Sequence, residues 1–420
     1  MRSARIFTSV CFFALVATAC STSQDAGSPT GEVLTLAAAG QGPAEAAVKA
    51  FEKANPGVKV KTTYAQDDAT YQQQLRTQLS SGTAPDVFRM WPGGGSTMAV
   101  KDLAKDGMLM DLSGESWAPG MSADLKAVTS DSAGKVMAVP VTIGAIGAIW
   151  NDQALAKSGL SKPTTWPEVL TFCKAAKAKN VVPFALGLKS AWVTQLVPYA
   201  LTASLIYGPD PDFAKRQQDG QVTFAKSPWK EAENKYLQMK DSGCFNDSPN
   251  GVGYDEQMQM VGQGKALGAV HVLSAVESAA TFAPKGTTFS MSLFPATDKA
   301  DQTYMPVSVG IVYGINAKAK HPELAKKFME FLASPEGQNL YATKSGSSPA
   351  LSSPAFKPDA LQKPVLQAIK DGKATLYPDQ DWPNAKVQLE HTTSIQELFN
   401  GSIDVATLLG RMDKAYGEAK

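Results

Sequence analysis

Val33-Leu34-Thr35-Leu36-Ala37-Ala38-Ala39 is a short apolar run that stops at Gly40, and behind Pro43 the residues Ala44, Ala47, Val48, Phe51 and Ala54 recur at helical spacing. The pair reads as a strand followed by a helix. Pro56-Gly57 ends that helix, and Val58 to Tyr64 alternates in the manner of a second strand. Tyr71 to Leu79 is polar but helical in residue type, and Ser80-Ser81-Gly82 leads to a third strand, Pro85-Asp86-Val87-Phe88-Arg89-Met90. This βαβαβ rhythm predicts a parallel sheet covered by helices. Ligands on such sheets sit outside the carboxyl ends of the strands, here at Gly40-Gln41, Tyr64 to Asp68 and Trp91 to Ser96.

A second α/β region follows Gly134 to Pro140 and the apolar stretch Ile143 to Trp150, and contains a helix from Trp166 to Lys179. Val193 to Leu267 is mostly helical in pattern. A further strand-like run, Val307 to Ile315, precedes a helix from Pro322 to Leu332 with Leu324, Ala325, Phe328, Phe331 and Leu332 on one face. The fold class expected is α/β.

Upstream of this, Arg2 and Arg5 precede an apolar run from Ile6 to Val16 and the small-residue site Ala17-Thr18-Ala19-Cys20. The run is too short for the roughly 20 residues that span a bilayer, so residues 1–19 read as a signal peptide. The cysteine resembles a bacterial lipobox, which makes Cys20 the expected lipidation site; ordinary cleavage and free secretion is the alternative. Residues 20–32, with a polar Ser/Gly-rich stretch from Ser21 to Gly31, read as a flexible tether.

The chain carries 40 basic and 39 acidic residues, and with Arg2 and Arg5 removed the balance is nearly neutral, which gives no attraction to nucleic acid. Its 420 residues and 44 % apolar content can bury a large core, divided by length into two or three domains. Past the export segment only Cys173 and Cys244 remain, and an exported pair in one lobe is expected to form a disulfide, with a buried free pair as the alternative. The three histidines are not at metal-ligand spacing, so neither a metal site nor a cofactor is expected.

Ala84-Pro85-Asp86-Val87-Phe88, Ile149-Trp150-Asn151, Pro163 to Leu170, Gly262-Gln263-Gly264-Lys265-Ala266 and Pro322 to Gly337 occur in an order that resembles the family 1 extracellular solute-binding proteins. The resemblance covers nearly all of residues 33 to 420. It implies the maltodextrin-binding type of periplasmic-binding-protein fold: two discontinuous lobes joined by a hinge, closing on a carbohydrate that is passed to the permease of an ABC importer. The lobes expected are residues 33–143 with 307–348, and 144–306 with 349–420, with Asn151 and Thr303 to Val307 as hinges. The molecule is read as a monomer held to the outer face of the membrane. Asp86 is read as an acceptor for backbone amides, and Trp166 as a packing residue at a helix start.

Sugar sites combine aromatic platforms for C–H faces with carboxylates and amides for hydroxyls. Trp91 stands where family members carry a ligand-facing aromatic group, and Gly40 and Gln41 stand where a backbone or amide contact is usual. Asp67 and Asp68 follow the second strand. In the second lobe Trp192 is a candidate platform, with Tyr199 two helical turns on. His271 lies near where relatives place a stacking tryptophan, which is absent here. Tyr377-Pro378-Asp379-Gln380-Asp381-Trp382 matches a loop that often supplies an aromatic group, which nominates Asp379, Asp381 and Trp382. A glycosidase, a surface sensor and a polyol-binding protein are the rival readings; no catalytic motif supports the first.

Overall fold

The computed structural model describes residues 32–65 and 67–418, so the leader, Cys20 and the tether up to residue 31 lie outside the described residues. Ten strands form one branched sheet: β1 (Val33–Ala39), β2 (Lys59–Ala65), β3 (Val87–Met90), β4 (Val139–Asn151), β5 (Val182–Phe184), β6 (Ala266–Val272), β7 (Phe289–Ser292), β8 (Met305–Ile315), β9 (Ser348–Pro349) and β10 (Ala374–Thr375). Its main path runs β2-β1-β3-β8-β4-β6-β5. The first three strands are parallel, as the βαβαβ rhythm predicts. β8 then joins β3 antiparallel, because the chain re-enters this lobe from the other one and meets the sheet from the opposite end.

β4 and β8 are long because each belongs to both lobes. The N-terminal half of β4 pairs with β8, from Val139 opposite Tyr313 to Ala145 opposite Val307, while Ile146 to Asn151 pair instead with β6 and β7. The ladder slips between Pro140 and Ile143. Burial along both strands is interrupted at the same level, at Ile143-Gly144 and Gly310-Ile311. A Cβ on Gly144 would lie 3.0 Å from the Tyr377 hydroxyl and 3.7 Å from the Gly310 Cα. β9 and β10 add short pairings to β4 and β8 beside this crossing.

Each lobe has a core on both faces of its part of the sheet. In the first lobe Ala44, Ala47, Val48 and Phe51 pack on Leu324, Phe328 and Leu332, with Phe51 and Phe328 edge to face at 5.0 Å. Tyr71, Leu75, Phe88, Met90 and Leu103 fill the other face. In the second lobe Trp150, Phe172, Phe184 and Phe294 form an aromatic centre, and Met258, Val261, Ala269 and Met291 cover the opposite side. Cys173 and Cys244 are bonded and fully buried there, tying the Trp166–Ala178 helix to the chain that follows the Trp229–Asp241 helix. Thr165 and Glu168 form a reciprocal capping box at the start of the first of these helices.

Asn151 is buried at the end of β4. Its Oδ1 accepts from the Ala154 amide at 3.0 Å and its Nδ2 donates to the Val261 carbonyl at 2.9 Å, deep in the second lobe. It caps the Asp152–Ser158 helix, and β4 changes partners from β8 to β6 earlier in the chain, between Ala145 and Ile146.

Asp86 clasps the first lobe. Its Oδ2 accepts from the Thr35 amide and hydroxyl at 3.0 and 2.6 Å, and its Oδ1 accepts from the amides of Lys320 and His321 at 2.6 and 3.2 Å. Burial alone would raise its pKa, but these hydrogen bonds outweigh it and the net shift is downward. A carboxyl held below its unfolded value contributes stability that is complete above the unfolded value near pH 4 and is lost as pH falls from there through the lowered folded value. We predict that Asp86→Ala lowers unfolding stability by about 3 kcal/mol at pH 7, because three backbone amides and the Thr35 hydroxyl lose their acceptor, and by clearly less near pH 3. Urea unfolding at the two pH values checks this.

Candidate binding cleft

The carboxyl ends of β1, β2 and β3 are the first lobe's side of the candidate cleft. Gly40 has φ +76°, a value that suits glycine, and Gln41 follows it, exposed, at the start of the Gly42–Ala54 helix with its amide on Glu45 at 3.0 Å. Asp67 caps the Asp68–Ser81 helix: Oδ1 accepts from the Thr70 amide at 2.9 Å and Oδ2 from the Thr70 hydroxyl at 2.8 Å, which also lowers its pKa. Both oxygens are committed. Asp68 differs, because only Oδ1 is taken, by Arg89 Nη1 at 2.8 Å, and the side chain is 41 % exposed. Among the described residues Oδ2 has no partner.

Arg89 and Trp91 alternate onto the same face at the end of β3, and the guanidinium lies over the indole at 4.6 Å. The Tyr71 ring stands 6.1 Å from Trp91, and its hydroxyl donates to the Arg89 carbonyl at 2.7 Å. The sequence pattern places Arg89 inside a buried strand; the structure adds that its charged end reaches the cleft carboxylate.

Across from these groups, Trp192 sits on the single turn Ala191–Val193 and is 37 % exposed. Tyr254 and His271 brace it, each with ring centroids 5.2 Å away. Sequence reasoning missed Tyr254; its only signal is an aromatic residue directly after Gly253 at a helix start. The Tyr254 hydroxyl donates to Ser278 Oγ at 2.8 Å. Its pKa is raised, chiefly by burial. His271 is fully buried behind the two rings. Its Nδ1 accepts from the Val272 amide at 2.9 Å, which puts the proton on Nε2, and burial pushes its pKa down to about 3. It is therefore a neutral prop and offers no exposed surface to a ligand.

The third candidate segment is the loop Tyr377 to Trp382. Asp379 Oδ2 accepts from Gln388 Nε2 at 2.9 Å, whereas Oδ1 is sealed from solvent without a partner among the described residues. Burial first, and then the neighbouring Asp381, raise the Asp379 carboxyl to about 7. Asp381 is also raised by burial, against the opposing pull of Lys101. Trp382 corrects an expectation: it is 2 % exposed, with Tyr199 6.0 Å, Phe224 5.7 Å and Trp229 6.2 Å from its ring. It is second-lobe core and presents no face to the cleft. Tyr199 is buried beside it and donates to Gln195 Oε1 at 3.0 Å.

This loop also touches the first lobe. Gln380 accepts a hydrogen bond from Ser308 and donates to the Val309 carbonyl at 3.2 Å, and its own carbonyl accepts from the Gly94 amide at 3.2 Å. Gly93-Gly94-Gly95 pass so near that Cβ atoms there would lie 2.3 Å from the Gln380 carbonyl oxygen, 2.8 Å from that of Trp382 and 2.0 Å from that of Asp379. Only a side-chain-free segment lets the two backbones meet.

Residues 36–339 match the family described as bacterial extracellular solute-binding protein. The multiple sugar-binding protein of Streptococcus mutans is 24 % identical over 343 residues, covering 80 % of this chain and 78 % of its own. RafE, a solute-binding protein solved in complex with raffinose, superposes with a TM-score of 0.76 at 21 % identity over 92 % of this chain and all of its own. A Bacillus licheniformis sugar transporter protein solved with stachyose gives 0.72 at 18 % identity, again over 92 % of this chain and all of its own.

We predict that Gly95→Ala forces the two backbones apart and loosens the contact between the lobes, while Gly114→Ala, which meets open space, does not. Small-angle scattering of the ligand-free variants is expected to show a larger radius of gyration for Gly95→Ala alone.

Proposed function

The chain belongs to the bacterial extracellular solute-binding protein family, and we propose that it captures a carbohydrate between its lobes and delivers it to the permease of an ABC importer. One observation carries the sugar reading. Two tryptophans on opposite lobes, Trp91 and Trp192, are each braced from behind, and a carboxylate with one uncommitted oxygen, Asp68, stands beside the first. Aromatic faces suit the C–H faces of a pyranose, and the carboxylate suits its hydroxyls. The names of the relatives, a multiple sugar-binding protein and proteins solved with raffinose and stachyose, support the same class.

Residues 33–143 with 307–348 move as one body against 144–306 with 349–420, pivoting where Gly144 and Gly310 lie side by side. A sugar that touches both bodies favours the closed arrangement by its differential contact energy and by no more than that. Gly40 and Gln41 offer a backbone and an amide contact. Lipidation at Cys20 holds the protein at the outer face of the membrane as a monomer. No catalysis is assigned. Asp379 and Asp381 share one short turn and cannot flank a glycosidic bond from two sides, and both oxygens of Asp67 are committed to a helix cap.

We expect one group of sugars in a thermal-shift panel to stabilise residues 33–420, by about 2.7 kcal/mol at 100 times the dissociation constant. Trp192→Ala should weaken binding roughly tenfold with little change in the melting of the ligand-free protein, because the ring is already partly in solvent. No shift with any sugar, or unchanged affinity in Trp192→Ala, would remove the proposal.

A further inference from the structure

We propose that Arg89 is a positioning residue that holds both sugar-facing groups of the first lobe, the Trp91 ring and the Asp68 carboxylate, in their binding geometry. The inference rests on the carbohydrate reading above. Its neighbours on β3, Val87, Phe88 and Met90, are apolar and fully buried, so a charged side chain is out of place by the logic of the strand. The Arg89 side chain is only 12 % exposed, Asp68 is its one carboxylate partner among the described residues, and its Nε makes no hydrogen bond.

An ion pair with one partner half exposed, as Asp68 is, is a poor source of stability, because solvent screens the attraction while the buried Arg89 still bears a desolvation cost. What an apolar residue cannot do is grip two groups in fixed directions. The guanidinium is planar, lies over the indole at 4.6 Å and donates to Asp68 Oδ1 at 2.8 Å, while Oδ2 has no partner among the described residues. Tyr71 fixes the strand beneath, through the bond from its hydroxyl to the Arg89 carbonyl at 2.7 Å. Burial works against the charged form of Arg89, and the charge of Asp68 is the main effect that restores it. The platform and the carboxylate are thus set by one side chain, and loss of that side chain frees both.

Two readouts test this, one without ligand. The contribution of Trp91 to the near-ultraviolet circular dichroism is the difference between wild type and Trp91→Phe, and this difference should shrink markedly in an Arg89→Met background. Calorimetry with raffinose and with stachyose should show binding weakened about tenfold in Arg89→Met and by less in Arg89→Lys, which keeps the cation but not the fork. Loss in the Arg89→Met/Trp91→Ala double variant should be close to that in Trp91→Ala alone, since one group acts through the other. Should Arg89→Met fail to fold, Arg89→Lys carries both readouts. A Trp91 signal that persists without Arg89, additive losses in the double variant, or affinity within about twofold of wild type would each overturn the proposal. If wild type takes up neither sugar, the choice of sugar in the functional reading fails while the ligand-free signal still decides the role of Arg89.

Discussion

The antiparallel pairing of β4 with β8 is the constraint on which the molecule depends. Seven residues of β4, Val139 to Ala145, lie against β8, and from Ile146 onward the same strand is built into the second lobe. Two cores on each side fix the ends of these strands, yet their middles carry Gly144 and Gly310 and lose burial at that level. Stiff ends with a bare centre are a physical recipe for bending at one place. Side chains there would fill the space that the Tyr377 hydroxyl and the facing strand occupy.

The cleft follows from that arrangement. Strand ends and helix starts from the first lobe converge on it from one side, and the Ala191–Val193 turn and the Tyr254–Gly262 helix from the other. Exposed aromatic surface is costly in water unless something is to cover it, and Trp192 stands out against the buried tryptophans Trp150, Trp229 and Trp382. The polar groups divide in the same way. Asp67, Asp86 and Asn151 are spent on backbone amides and stabilise local structure, whereas Asp68 and Asp379 each keep one oxygen without a partner among the described residues.

Periodicity made β1 to β3 and their helices legible, because each strand is short and each apolar face is complete within its own segment. It could not reveal that β8 runs antiparallel to β3, since direction depends on where the chain has been between Asn151 and Met305. The cap role of Asn151 is hidden from the sequence for a related reason. It follows the apolar stretch that crosses between lobes, but a cap role shows only once Val261 and Ala154 are seen beside it. Trp382 looks like a surface aromatic in a carboxylate-rich loop, and its burial comes from Phe224 and Trp229, more than a hundred residues away. Trp192 and Asp68 were visible as candidates. Tyr254 and the grip of Arg89 on Asp68 were not, because both arise from tertiary contacts that leave no local pattern.

A crystal structure of residues 33–420 with the sugar that gives the strongest thermal shift tests the account most directly. A pyranose ring held between Trp91 and Trp192, with a hydroxyl on Asp68 Oδ2, is the predicted result. A sugar bound elsewhere, or touching one lobe alone, would contradict it.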